Sequence, residues 1–221
     1  MRKYFDLHLD PEDPSRLQDM IYLAIQLGFS NVATTSLEVE LEKKIEVHNR
    51  INLEAKSRSD LLEKLRKVRR SHDLVAVVCN NKEVARQAAK DQRVDIINFS
   101  NDLNNRKLTW LDHQEAELAE TTNCAYEINI EGLLLSGTIR TAKLLSVMRR
   151  ELQNALTHSL PIIISSGARY PLLQREPRAL TSLASLLDID EELAKDMISE
   201  IPSQVLERGK NKKSNSHRGK Y

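Results

Sequence analysis

The chain is poor in cysteine, has no long apolar run and carries almost no net charge. Its 221 residues include two cysteines, Cys79 and Cys124, with no CxxC spacing. That speaks against a disulfide framework or a cysteine-built zinc site and predicts two reduced core thiols. No apolar stretch approaches the roughly 18–20 residues that a membrane helix needs, so no membrane association is expected. The N-terminus enters a strand-like pattern at Tyr4 without the apolar segment of a signal peptide, so a cytoplasmic location is expected. No G-x-G-x-x-G follows that first pattern and no P-loop occurs, which leaves a dinucleotide or nucleotide fold without direct support. The net charge of +1 does not announce a polyanionic partner by itself. The single tryptophan, Trp110, is read as core or interface packing rather than as a base-stacking platform.

Apolar residues make up 40% of the chain and charged residues 29%, a balance that predicts a globular fold with a well-charged surface. Short apolar runs alternate with amphipathic ones. Tyr4 to His8, Asn31 to Thr34, Asn49 to Ala55, Leu74 to Cys79, Val94 to Phe99, Cys124 to Ile130 and the run from Pro161 read as strands. Helical patterns open at Pro14, at a Ser59 cap, at Lys82, at Asp112, at Thr138 and at Pro177. Glu38 to Val47 reads as a helix or long loop, and Ser100 to Leu108 as a loop. Strands separated by helices imply βαβ units and a mainly parallel sheet. Seven clear strands fit a (β/α) barrel better than an open sheet. One barrel domain is expected over residues 1–207. The tail 208–221 holds six Lys/Arg, no acid and almost no apolar residue, and is expected to be mobile. The most informative stretch is Pro161-Ile162-Ile163-Ile164-Ser165-Ser166-Gly167-Ala168, a buried parallel strand whose exit is made of small polar residues.

Several pieces recur in a specific order: Tyr4-Phe5-Asp6-Leu7-His8, Val94-Asp95-Ile96-Ile97, Ala125-Tyr126-Glu127-Ile128-Asn129 with Leu133 to Leu135, Pro161 to Ala168, and Pro177-Arg178 opening a helix. Together they resemble the archaeal ribonuclease P protein component 3 family, counterpart of the eukaryotic thirty-kilodalton subunit, over about residues 1–205. The resemblance implies a TIM-like barrel related to the polymerase and histidinol phosphatase superfamily. It implies a subunit of the ribonucleoprotein that removes 5′ leaders from precursor tRNA. In that family the RNA carries the chemistry, with Mg²⁺ required by the RNA-based holoenzyme, and the protein pairs with another small protein subunit. Ribonuclease P RNA is then the direct partner and precursor tRNA an indirect one.

The metal-dependent relatives of such barrels open with H-x-H, whereas this chain has His8-Leu9-Asp10. Only His8, with Asp6 and Glu127 nearby, offers candidate ligands, too few for a multi-metal hydrolytic site. No catalytic residue and no metal site are therefore expected on this chain. The competing readings are a metal-dependent phosphoesterase on the same barrel and a small-molecule barrel enzyme using Glu54 and Glu127.

RNA contact needs Lys and Arg placed to replace counterions. The candidates are Arg86, Arg106 and Lys107, Arg140 and Lys143, and Arg169, Arg175 and Arg178. Most follow strand ends, so they are expected to share one face with the Ser165–Gly167 exit, forming a barrel mouth that holds RNA. Arg66, Lys67, Arg69 and Arg70 are read instead as one solvated helix face, with Glu63 pairing Lys67.

Overall fold

A computed structural model describes residues 2–36 and 44–217. Seven strands form one parallel sheet in sequential order: β1 (Phe5–Leu9), β2 (Asn31–Thr34), β3 (Glu46–Glu54), β4 (Leu74–Cys79), β5 (Ile96–Phe99), β6 (Ala125–Asn129) and β7 (Ile162–Ser165). Strand β3 begins at Glu46, inside the stretch expected to be helix or loop, because Asn31 to Thr34 of β2 pairs with Glu46 to Asn49. Residues 38–43 of that stretch lie outside the described residues. Around the sheet run α1 (Leu17–Gln26), α2 (Arg58–Val68), α3 (Lys82–Ala89), α4 (Leu103–Leu108), α5 (His113–Thr122), α6 (Glu131–Leu135), α7 (Thr138–Thr157), α8 (Pro177–Ser185), α9 (Glu191–Asp196) and α10 (Glu200–His217). None is long and apolar enough to cross a membrane. The expected loop after β5 contains α4, capped by the Asp102 side chain. Ser57 rather than Ser59 caps α2, its hydroxyl accepting from the Asp60 N–H.

Among the described residues there is no eighth strand, and the edges β1 and β7 come together directly. Leu9 bridges Ala168 at the C-terminal edge. At the other end the turn after α9 fills the gap: Phe5 N–H donates to Ile198 O at 2.9 Å and Ile164 N–H to Met197 O at 3.1 Å. Period-two alternation then sorts the side chains. Val75, Val77, Ile97, Tyr126, Ile128, Ile162 and Ile164 face the helices in one apolar core. Leu7, Ala33, Ala76, Ile96, Ala125 and Ile163 face the barrel axis, where Val205 and Leu206 of α10 pack against them. Helix α10 thus stops the N-terminal end of the barrel.

That helix corrects the expectation of a mobile tail from Arg208. The chain stays helical to His217 and is held by polar contacts rather than by apolar area. Gly209 O accepts from Arg69 Nη2 at 3.3 Å, Lys212 Nζ donates to Val94 O at 2.9 Å, and Lys213 Nζ meets Asp73 Oδ1 at 2.9 Å. A Cβ on Gly209 would lie 2.2 Å from Asp73 O, so only glycine lets the helix approach this closely. The same contacts correct the reading of Arg69 as a solvated cation. It is 2% exposed and pairs with Asp95 at 2.5 Å.

Beside α10, the buried His48 of β3 holds Asn31 Oδ1 at 2.9 Å through Nε2. Burial, with the charge of Lys210 added, lowers its pKa to about 4. A histidine that resists protonation when folded but accepts it when unfolded supplies full stability above its unfolded pKa, about 6.5. That stability is lost as pH falls through 6.5 toward 4. Unfolding in urea should therefore require about 2 kcal/mol less at about pH 5 than at about pH 7 on account of this group. His48→Gln should remove that part of the slope; an unchanged slope would show that another group carries it.

Candidate nucleic-acid interface

The polar layer of the barrel begins where the apolar plug ends. Arg50, Asn52 and Glu54 alternate along β3, and the first two turn into the barrel. Arg50 is fully buried and grips Glu127 of β6 with both ends of its fork, Nη1–Oε1 and Nη2–Oε2 each at 2.6 Å. Its Nη1 also donates to Leu7 O at 2.6 Å and its Nε to Asn52 Oδ1 at 2.8 Å. The last bond fixes the Asn52 amide, so Nδ2 is the atom facing His8 Nε2 at 2.9 Å. Nε2 must then accept, which places the ring proton on Nδ1, 3.2 Å from Glu127 Oε2. Glu127 further accepts from Asn98 Nδ2 at 2.7 Å and from Ser165 Oγ at 2.8 Å. Burial alone would raise its pKa. The charge of Arg50 and its hydrogen bonds hold it well below the usual carboxylate range.

The same network bears on how a cation could sit here. Every lone-pair direction of Glu127 is engaged, and a guanidinium occupies the position beside it that a cation would need. Asp6 has one oxygen bound to the His8 and Ser166 N–H groups, while burial raises its carboxyl pKa. Among the described residues no group of three or more His, Cys, Asp and Glu is placed to hold a metal ion. The set present does not fit one.

The strand exit is equally committed. Ser165 and Ser166 are fully buried. Ser165 Oγ donates to Glu127, and Ser166 Oγ donates to His8 O and accepts from the Ala168 N–H. Gly167 has φ +61°, and a Cβ there would lie 2.1 Å from Asn129 Oδ1. These residues seal β7 against β1 and β6; their hydroxyls are not offered to a ligand.

Above this floor opens a cavity of about 400 Å³ lined by Asp10, Glu54, Asp102 and Glu131 and by Arg140 and Arg169. Four carboxylates thus face two guanidiniums. Arg169 Nε is bound to Glu131 at 2.5 Å and Arg140 Nη2 to Asn101 O at 3.1 Å. Of the expected RNA contacts only these two line the mouth. Lys143 is exposed on α7 and Lys107 on α4. Arg86 is half-exposed on α3, 3.4 Å from Glu115. Arg175 is partly turned back onto Leu172 O and Gln174 O. Arg178 is exposed on α8 and lies beside the N-terminal ends of the strands. The expected single face is therefore divided between two ends of the barrel.

Arg106 is a correction. It is 3% exposed, its Nη2 2.8 Å from Glu151 Oε2 of α7, and that same oxygen accepts from Tyr126 Oη at 2.7 Å. Helix α4 turns the side chain inward over the Phe99 ring, where it cannot reach a phosphate. Trp110 lies between Lys82 and Arg150, the cations 5.5 and 4.9 Å from its ring centre. Cys79 and Cys124 are free and buried, and burial pushes the Cys124 thiol up to about 12.

A family model described as RNase P subunit p30 matches residues 3–214. The chain belongs to the RNase P subunit p30 family. Within the wider set of relatives, "Ribonuclease P protein component 3" of Methanosarcina barkeri is 27% identical over 219 residues, covering 94% of this chain and 90% of that protein. The protein of the same name from Methanococcus maripaludis is 28% identical over 164 residues, covering 74% and 69%. A chain in a cryo-EM structure of archaeal ribonuclease P with mature tRNA superposes with a TM-score of 0.78 at 20% identity, covering 93% of this chain and 90% of that one. Histidinol phosphate phosphatase from Lactococcus lactis, whose structure holds zinc, L-histidinol and phosphate, shares the barrel at a TM-score of 0.52 and 12% identity, covering 84% and 93%. The RNase P subunit p30 family thus shares its fold with a zinc-containing phosphatase, but this member has a guanidinium–carboxylate pair at its barrel floor.

Proposed function

We propose that this chain acts as a protein subunit of ribonuclease P in the cytoplasm, supporting the catalytic RNA that trims 5′ leaders from precursor tRNA, and that it carries no chemistry of its own. The observation that carries this reading is the Arg50–Glu127 pair. It fills the barrel floor and engages Glu127, the carboxylate that a metal ion or an activated water would need there. The Mg²⁺ needed for cleavage belongs to the RNA in this reading. Exposed Arg86, Lys107, Arg140, Lys143, Arg169 and Arg178, with the partly buried Arg175, are the proposed RNA contacts, aided by a second, small protein subunit. Arg106 is withdrawn because its guanidinium is buried on Glu151.

The test is reconstitution. Catalytic RNA and companion proteins, assembled with and without this chain, should cleave precursor tRNA faster with it. Arg140→Ala and Arg178→Ala should each weaken that stimulation and reduce its salt dependence, with the melting temperature of the protein unchanged. Hydrolysis of a phosphoester by the RNA-free chain, abolished by His8→Ala, would instead favour the phosphoesterase reading.

A further inference from the structure

A second groove, about 1000 Å³, lies away from the barrel mouth. It lies beside the N-terminal ends of β1 and β2, between Arg2–Tyr4 and Gly28–Ser30 on one side and α8 and α9 on the other. Its charge differs from that of the mouth. Arg2, Lys3, Arg178 and Lys195 line it against only Glu176 and Glu191. Arg2 and Lys195 are paired with carboxylates of α9 and its C-terminal end. Lys3 and Arg178 make no side-chain hydrogen bond or ion pair with a described residue, so their charge is available to an incoming anion.

The hydroxyls of the groove divide by chemistry. Thr181 Oγ1 and Ser182 Oγ donate back to the carbonyls of Pro177 and Arg178, which leaves them as acceptors. Ser30 and Ser185 hydroxyls make no such bond and can donate. Free cations and free donors suit phosphate oxygens, and committed acceptors suit a ribose 2′-hydroxyl. The mouth offers the reverse: a surplus of carboxylates, and two arginines already engaged.

We propose that this groove, with Lys3 and Arg178 as its phosphate contacts, is the principal binding surface for an RNA backbone, on the opposite end of the barrel from its mouth. The proposal rests on the subunit reading above. It makes Arg140 and Arg169 lesser contacts and adds Lys3, Ser30 and Ser185.

The probe is a fluorescent RNA hairpin of about twenty nucleotides, titrated with the full chain by anisotropy at about 50 and 200 mM salt. The double variant Lys3→Glu/Arg178→Glu should lose at least about tenfold in affinity at the lower salt, and its salt slope should flatten by roughly two, the loss of two phosphate contacts. Arg66→Glu/Arg70→Glu makes the same change in net charge at exposed positions on α2 and in the turn after it, and should lose no more than about threefold by the same counterion argument. Ser30→Ala/Ser185→Ala should weaken RNA more than a DNA hairpin of matching sequence. Equal losses in the two charge variants, or a groove variant within about threefold of the parent, would overturn the groove while leaving the subunit reading intact. Failure of the parent chain to bind the hairpin at either salt would overturn both.

Discussion

Arg50→Met is expected to destabilise the protein by about 3–5 kcal/mol, read as a fall in the urea midpoint near neutral pH. Arg50 is the largest fully buried side chain, and its loss leaves Glu127 charged, 2% exposed and without its counter-ion. Asn98 and Ser165 would still donate to the carboxylate, but two neutral donors do not replace a bidentate guanidinium. Glu127→Leu alone should also be costly, since it strands the buried guanidinium. The double variant Arg50→Met/Glu127→Leu removes both charges and should recover most of the stability, because an apolar pair of similar volume avoids the desolvation cost of both ions. A single variant within about 1 kcal/mol of the parent would sink the argument that this pair is an obligate buried unit. The pH dependence has a definite sign. A carboxyl whose folded pKa is depressed stabilises the fold above its unfolded value, about 4.5, and loses that contribution as pH falls through the lower folded value. The parent should therefore lose stability in acid more steeply than the double variant.

The sequence was legible where structure is local. Most strands are short apolar runs bounded by helix signals, and their sequential parallel order follows from the helices that separate most of them. The interior was not legible. Arg50 and Glu127 are 77 residues apart, and nothing in either neighbourhood names the other. A signal was nevertheless present: Arg50, Asn52 and Glu54 place polar residues on alternate positions of one strand, so one face of a barrel strand had to be polar. The same limit explains Arg106 and Arg69, which read as surface cations by composition. Each is buried because a carboxylate from a distant element, Glu151 or Asp95, meets it. Counting cations along the chain locates charge but not exposure. Exposure decided which of them remain available to RNA.

The stretch from Arg208 gives the second large effect, because its composition and its packing lead to opposite results. A mobile basic tail could be deleted at a cost within about 0.5 kcal/mol. The packed helix predicts that ending the chain at Glu207 costs about 2–4 kcal/mol, from the loss of several charge-assisted hydrogen bonds to partly buried partners. Arg69 would lose Gly209 O, Asp73 would lose Lys213, and Asp95 would lose the Lys212 ammonium 3.0 Å from its Oδ1. The apolar plug of Val205 and Leu206 would remain, so the barrel should still fold, with a lower melting temperature. Gly209→Val separates packing from charge. It keeps every cation but drives a side chain into the Asp73 carbonyl, and should cost about 1–3 kcal/mol by overpacking. Native-state hydrogen exchange supplies the local readout: the amides at the start of β4, beside Gly209, should exchange faster in the Gly209→Val protein, while those at the strand ends lining the mouth should not. If truncation at Glu207 and Gly209→Val both leave melting and exchange unchanged, α10 does not hold the barrel beyond Leu206, and the polar contacts along its second half contribute nothing to the fold.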